Sequence, residues 1–267
     1  MRKFFIAAIT TAMLTATAAI AQIPQNYYSS LKGKKGAELK TAVHNIIKNA
    51  TVLKYGSGSG RTWEGFYTTD RLDDGQVVDR YSNDKRYFGN KGQAVSGMNI
   101  EHSFPKSWWG GSENQAYKDL YNLMPSEQKI NSAKSNYPMG KVNNASTDNG
   151  CTKVGTGSNG YKLWEPADKW KGDFARGYMY MATAYQDFTW SGTQALRYFS
   201  KETTPTLREW GIHLIYRVGQ DRRRLTRLKW SATTKCTRFR ATASVCRLSK
   251  TSWEYIWGRQ HRLCLRP

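Results

Sequence analysis

Residues 97–141 read GMNIEHSFPKSWWGGSENQAYKDLYNLMPSEQKINSAKSNYPMGK and contain most of what the sequence says about the fold. Residues 98–103 have extended character and precede a Phe-Pro pair, which predicts a strand. Residues 119–124 alternate weakly between apolar and polar and predict a second strand. Pro125-Ser126 then predicts a helix start, with the serine as cap, and this helix runs to about residue 135. The predicted order is therefore strand, loop, strand, helix.

Two further helices are predicted on either side of this stretch. Residues 37–49 carry apolar side chains at helical spacing, and residues 165–185 carry a second apolar stripe behind Pro166, which suits a first helical turn. His44 lies in the first of these helices, where we interpret it as a structural surface residue and not as a ligand. Residues 73–75 predict a turn, and residues 76–81 a strand.

Four segments of the sequence resemble the endonuclease I family, which belongs to the ββα-metal (His-Me finger) nucleases. They are, in order, NIEHSFPKSWW, DLYNLMPS, INSAKSNYPMG and KGDFARGYMYMATAY, and the resemblance covers roughly residues 27–210. It implies an α+β fold, with a ββα-metal core embedded in a mostly helical single domain. It also implies an endonuclease that hydrolyses phosphodiester bonds and leaves 5′-phosphate and 3′-hydroxyl ends.

The resemblance assigns roles to three residues, namely His102 as general base and Glu101 and Asn131 as metal ligands. The chemistry agrees, because an imidazole with a pKa near ~6.5 is mostly neutral at pH 7 and can accept a proton from water. One carboxylate and one amide oxygen suit Mg²⁺, which keeps several waters and takes other ligands from phosphate. They suit Zn²⁺ poorly, since no second His or Cys is near. We expect Mg²⁺, with Mn²⁺ or Ca²⁺ as replacements.

Several basic residues are candidates for binding the phosphates of DNA or RNA. Lys106 and Lys134 are the preferred contacts, although many family members have Arg at position 134 and His at position 121, where this chain has Tyr. Arg176 either contacts phosphate or pairs with Asp173, three residues before it. Trp108-Trp109 suits base stacking or, more readily, core packing. No base-reading motif is visible, so low sequence specificity is expected.

The first 21 residues predict export. A basic start is followed by an apolar stretch to Ile20 and a small-x-small site, Ala19-Ile20-Ala21, which is typical of a cleaved signal peptide. Cleavage would leave a mature chain without a membrane anchor, in the periplasm or the medium. We expect a monomer with one domain over residues 22–258 and an irregular tail over residues 259–267.

The distal part of the chain departs abruptly from the family. Residues 213–267 hold 14 Lys or Arg but only 2 Asp or Glu, and they include three of the four cysteines. The family usually has RNDxVYxxQGNRNPF followed by a phrase like EYIWG; this chain has EYIWG at residues 254–258 but not the first phrase. Back-translating residues 229–243 with a one-base shift recovers EVERNDEVYKVQGNR. We therefore interpret about residues 217–252 as out-of-frame sequence.

Two alternatives remain open at this point. The basic tail is either out-of-frame sequence or a genuine nucleic-acid-binding segment, since clustered positive charge suits a polyanion. The protein is either an active secreted nuclease or a catalytically inactive nucleic-acid-binding protein from a frameshifted gene. Digestion of plasmid and RNA with Mg²⁺ or with EDTA separates the last two.

Overall fold

The computed structural model describes residues 26–158 and 160–191. These residues contain four α-helices, α1 (Gly36–Ile47), α2 (Thr62–Thr69), α3 (Gln128–Lys134) and α4 (Asp168–Ala184), and five strands, β1 (Met98–His102), β2 (Leu123–Glu127), β3 (Asn144–Asp148), β4 (Thr152–Thr156) and β5 (Lys162–Pro166). The fold class is α+β, as predicted. The expectation of a mostly helical domain is wrong, since 33% of these described residues are helical and 19% are in strands. The predicted signal peptide, the residues interpreted as out of frame and the last nine residues lie outside the described part.

Strands β1 and β2 form an antiparallel pair, and α3 follows β2 without a connecting loop. Met98 pairs with Glu127 and His102 with Leu123 at the two ends of the ladder. The order of strand, loop, strand and helix is therefore confirmed. The first strand also ends close to where the Phe-Pro pair predicted it.

The boundary between β2 and α3 differs from the prediction. Residues 119–122 form a turn, because the Asp119 carbonyl accepts hydrogen bonds from the backbone of Asn122 and Leu123. Pro125 and Ser126 belong to β2, where Ser126 pairs with Asn99 and is fully buried, so Ser126 does not cap the helix. The helix-start signal of Pro125-Ser126 is outweighed by the burial of residues 123–126 on the β1 ladder.

A second, three-stranded antiparallel sheet has the order β3-β4-β5 and was not predicted. Strand β5 contains Glu165 and Pro166, so α4 begins at Asp168, three residues after the predicted start. Pro166 lies opposite Thr152 in the sheet and is not in a helical turn. The predicted strand over residues 76–81 contains isolated bridges at Gln76 and Val77 only.

The hairpin of β1 and β2 lies between two apolar clusters. Met124 packs into the larger cluster, which also includes the buried faces of α1 and α4, whereas its neighbour Leu123 packs into a smaller cluster with Trp63 and Phe66 of α2. Successive strand residues point to opposite faces, so a two-stranded hairpin can be covered on both sides. This enclosure holds the end of β1 in a fixed position.

The amphipathic helix predicted over residues 37–49 is confirmed as α1, and both of its ends lie within two residues of the predicted ones. Its buried face, which includes Val43 and Ile47, packs on α4. No helix in the described residues combines the length and apolar content that a membrane span requires.

Candidate active site

Glu101 and His102 are the last two residues of β1, and both are buried, with 5% and 6% of their surfaces exposed. The β2 ladder fixes their backbone, because Glu101 pairs with Met124 and His102 with Leu123. Both side chains are therefore placed by rigid secondary structure and not by a loop.

One ring nitrogen of His102 is occupied. Nε2 lies 2.9 Å from the backbone oxygen of Tyr117. A carbonyl oxygen can only accept, so Nε2 carries the hydrogen and a neutral His102 has its lone pair on Nδ1. Nδ1 has no hydrogen-bond partner among the described residues. The geometry thus leaves a proton acceptor at one defined atom.

Aromatic rings surround the His102 imidazole. The Tyr55 ring is stacked on it with centroids 5.7 Å apart and planes 19° apart, and the Tyr117 ring lies tilted at 4.5 Å. Trp109 approaches edge-on at 6.3 Å. These rings restrict the rotation of the imidazole, and they also remove it from bulk water.

This burial lowers the pKa of His102 to about 4 from its ordinary value of 6.5. The hydrogen bond to the Tyr117 carbonyl opposes the shift, whereas the positive charges of Lys106 and Lys134 add to it. The imidazole is consequently neutral over the whole range around pH 7, which is the form a general base needs.

Glu101 is held through one oxygen. Its Oε1 accepts a hydrogen bond of 2.8 Å from the Tyr81 hydroxyl and forms an ion pair of 2.8 Å with Nζ of Lys134. Both partners are completely buried. The second carboxylate oxygen, Oε2, has no protein partner among the described residues and is available as a ligand.

Asn131 lies in the middle of α3, as predicted, and is partly buried. Lys134 follows it by three residues, so the two side chains share one face of the helix. Since Lys134 reaches Glu101, that face is turned towards the end of β1. The Asn131 side chain makes no hydrogen bond to any other residue in the described ranges, which leaves its amide oxygen free to bind a ligand.

The three predicted phosphate contacts have different surroundings. Lys106 is exposed, with Nζ 3.3 Å from the Tyr117 hydroxyl and 5.0 Å from the centre of that ring. Lys134 is enclosed in the ion pair with Glu101. Arg176 is paired with Asp173, the partner that its spacing suggests. Only Lys106 is therefore both close to His102 and open to solvent.

Trp108 and Trp109 are buried beside Phe104, with exposures of 1% and 7%. This arrangement agrees with core packing, which the sequence favoured for the Trp-Trp pair.

Asp119 organises the loop that carries the Tyr117 carbonyl. Its fully buried carboxylate accepts hydrogen bonds from the hydroxyls of Tyr180 and Tyr185, at 2.8 and 2.7 Å, and from the backbone N–H of Tyr121 at 2.8 Å. The loop is thereby tied to α4 and its C-terminal end. Asp119 therefore both forms the turn before β2 and orients this loop.

Two contributors were not found from the sequence. Tyr81 binds Glu101 from twenty residues upstream, and the Tyr117 backbone oxygen binds His102. Neither lies in a recognisable motif, because a long loop and a backbone atom provide these contacts. The only signal for Tyr117 is its position shortly before the DLYNL segment.

The donor set fits a hard divalent cation. No group of three or more His, Cys, Asp or Glu side chains suited to a metal occurs in the described residues, so a site built by several such ligands is not present there. Glu101 Oε2 and the Asn131 amide oxygen are two oxygen donors without protein partners. A cation that retains most of its water, such as Mg²⁺, needs no more than this from the protein.

Comparison with known families decides the relationship. Residues 35–218, more than half of the chain, match the family described as Endonuclease I. The chain belongs to the endonuclease I family. The match contains all six predicted site residues of this endonuclease I protein, and its range agrees with the resemblance over roughly residues 27–210.

Two curated relatives are extracellular ribonucleases. That of Bacillus subtilis (strain 168) is 32% identical over 179 residues, which are 65% of this chain and 58% of the relative. That of Bacillus amyloliquefaciens is 31% identical over 168 residues, 61% of this chain and 54% of the relative. This endonuclease I protein thus spans little more than half the length of the curated relatives it matches.

Proposed function

We propose that this protein is a secreted, Mg²⁺-dependent endonuclease that hydrolyses DNA, RNA or both with low sequence specificity. We also propose that β1, β2 and α3 form its ββα-metal finger, with His102 as general base and Glu101 and Asn131 as metal ligands. The observation that carries the proposal is the hydrogen bond between His102 Nε2 and the Tyr117 carbonyl. It leaves Nδ1 unprotonated and without a protein partner.

Hydrolysis by this site begins with a water molecule beside His102. Nδ1 takes a proton from the water as its oxygen forms a bond to phosphorus, and the bond from phosphorus to the 3′ oxygen breaks. The leaving oxygen takes a proton from a solvent water and becomes the 3′-hydroxyl, His102 returns its proton to solvent, and the phosphate remains on the 5′ end of the other fragment. A positioned base of this kind contributes roughly 10²–10⁴-fold in rate.

Glu101 Oε2 and the Asn131 amide oxygen would hold the divalent cation. When bound, the cation stabilises negative charge on the phosphoryl and leaving oxygens. Lys106, exposed beside the His102 cluster, would contact a neighbouring phosphate. Tyr55 and Tyr117 keep the imidazole oriented and partly shielded from water, which preserves its neutral form.

The curated relatives support both secretion and the substrate class, and the first 21 residues support secretion. Both relatives are named extracellular ribonucleases. The predicted signal peptide agrees with export to the periplasm or the medium. RNA is accordingly a substrate to test beside DNA.

The test is digestion of plasmid DNA and of RNA by the purified protein, with Mg²⁺ or with EDTA. We expect cleavage only with the metal, and 5′-phosphate ends that accept ligation after annealing. His102→Ala should abolish cleavage while nucleic-acid binding, measured by a filter assay, is retained. Cleavage that survives both EDTA and this substitution would refute the proposal, and binding without any cleavage would favour an inactive nucleic-acid-binding protein.

A further inference from the structure

The carboxylate of Glu101 is neutralised inside the protein. Lys134 is completely buried, and Glu101 is its ion-pair partner among the described residues, with 2.8 Å between Nζ and Oε1. Nζ also lies 5.4 Å from the centre of the Trp164 ring, which covers it from solvent. A buried ion pair is screened much less than a surface pair, so Lys134 offsets much of the negative charge of Glu101.

A cation bound to Oε2 would share the Glu101 carboxylate with the Lys134 ammonium group, which is paired with Oε1. The other ligand, Asn131, is uncharged. The ion pair of Glu101 and Lys134 therefore contributes no net charge to the site. A doubly charged cation gains little from such a site by itself, because the attraction of Glu101 is offset by the repulsion of Lys134.

We propose that Lys134 is a positioning residue that makes metal binding depend on bound nucleic acid. This inference rests on the proposed role of Glu101 as metal ligand. Lys134 holds Oε1, restricts Glu101 to binding the cation through Oε2, and removes the negative charge that would otherwise capture a free cation. The missing charge comes from the phosphodiester of the substrate.

Metal and substrate then strengthen each other's binding. Linkage requires the effect to be reciprocal, so nucleic acid raises the affinity for the cation by the same factor as the cation raises the affinity for nucleic acid. The site is complete only when both are present. The structure thus assigns to Lys134 a role different from a direct phosphate contact.

The experiment measures the binding of Mn²⁺, by the loss of the free-ion EPR signal, in a His102→Ala background that prevents hydrolysis. Titrations are made without nucleic acid and with a short oligonucleotide of DNA or of RNA. A Glu101→Gln variant in the same background gives the blank for Mn²⁺ held by the oligonucleotide alone. We expect the oligonucleotide to tighten Mn²⁺ binding on the order of tenfold, which is within the usual range of coupling between two sites.

Three substitutions identify Lys134 as the cause. Lys134→Met should bind Mn²⁺ several-fold more tightly than the parent without nucleic acid, and the effect of the oligonucleotide should shrink. Lys134→Arg keeps the charge and should retain the coupling. Tyr81→Phe is the matched control, since it removes the other hydrogen bond to Oε1 without changing the charge, and it should also retain the coupling.

Two results would overturn the inference. One is an Mn²⁺ affinity that is the same with and without oligonucleotide in the parent protein, a measurement that does not require Lys134→Met to fold. The other is a loss of Mn²⁺ affinity in folded Lys134→Met, as a purely structural role predicts. If the wild-type protein cleaves nucleic acid only with metal but shows no coupling, this inference alone fails. If cleavage needs no metal, the proposed function fails.

Discussion

His102 and His44 are both buried, but the second ring nitrogen of each has different surroundings. His102 ends strand β1 with 6% of its surface exposed. His44 lies in helix α1 with 4% exposed, so the expectation that it is a surface residue is wrong. His102 has one nitrogen on a carbonyl and the other without a partner in the described residues. His44 has Nδ1 near the carbonyls of Thr183 and Ala184, at 3.0 and 3.1 Å, and Nε2 2.9 Å from Asp187.

The two regions show that burial alone does not distinguish the proposed general base from a structural histidine. His44 directs Nδ1 at the C-terminal end of α4, where the last carbonyls of a helix lack internal partners. It thereby joins α1 to α4, and its Nε2 is buried beside the Asp187 carboxylate, so neither ring nitrogen is open to a water molecule. His102 uses only Nε2 in a hydrogen bond, which fixes the orientation of the ring. The number of ring nitrogens left open separates the two roles.

The largest expected difference between the regions is in activity. His102→Ala should lower kcat by roughly 10²–10⁴-fold, because the proton acceptor is lost. His44→Ala is the matched control and should retain most of the activity at a temperature where it is folded. Initial rates on a fluorescent oligonucleotide with Mg²⁺ measure both. Equal losses in the two variants would mean that the comparison does not reflect function.

The next effect is the pH dependence of cleavage. Because burial lowers the pKa of His102 to about 4, the base is neutral above that value and becomes protonated as the pH falls through it. The activity should therefore persist from pH 7 down to about pH 5 and decline only near pH 4. The profile of kcat/KM at saturating metal measures this. A decline centred near ~6.5, the ordinary value for histidine, would contradict it.

A smaller effect concerns stability. His44→Ala removes a buried donor from the end of α4 and should lower the free energy of unfolding by about 1–3 kcal/mol. Urea denaturation followed by tryptophan fluorescence measures the change. His102→Ala leaves a single carbonyl without its partner and should cost less. A larger loss in the free energy of unfolding for His102→Ala than for His44→Ala would contradict this prediction.

The smallest effect is expected at Lys40, one helical turn before His44. Lys40 is buried, and this burial lowers its pKa to about 8, partly opposed by Asp187. The folded protein binds this proton less tightly than the unfolded chain, so between about pH 8 and ~10.4 stability rises with pH, and at pH 7 the full cost is present.

Lys40→Met should therefore stabilise the protein at pH 7 by about 1 kcal/mol, because an apolar side chain of similar length replaces a desolvated charge. Urea denaturation at pH 7 and at pH 10 measures it, and the advantage of the variant should shrink at the higher pH. A destabilised variant at pH 7 would show that the interactions of Lys40 outweigh its desolvation.

The order of the site elements was predictable because each has a local signal. The extended residues before Phe104-Pro105, and the helix carrying Asn131, follow from patterns within a few residues. The start of α3 was misplaced because Pro125 and Ser126 carry a helix-start signal, and only pairing with β1 places them in a strand. That pairing joins residues more than twenty positions apart.

The three-stranded sheet was missed for a related reason. Strand β3, Asn144–Asp148, is polar and mostly exposed, so it has no apolar alternation to reveal it. The contacts of Tyr81 and Lys134 with Glu101 likewise arise from tertiary packing. The sequence predicts that Lys134 is open to phosphate, yet its ammonium group is buried in an ion pair with Glu101.

The interpretation of about residues 217–252 as out-of-frame sequence stays a prediction. These residues lie outside the described part, and the family match ends at residue 218. Resequencing of the gene tests it. A single-base lesion whose correction restores EVERNDEVYKVQGNR would support the interpretation. An unbroken frame that encodes the basic tail would refute it.

The most direct test of the site is the protonation state of His102 itself. The chain has four histidines, so ¹⁵N NMR of histidine-labelled protein, with His102→Ala to assign the signals, resolves the two ring nitrogens. We predict at pH 7 a neutral ring with a protonated Nε2 and an unprotonated Nδ1. A proton on Nδ1, in a neutral or a charged ring, would contradict the assignment of His102 as the base.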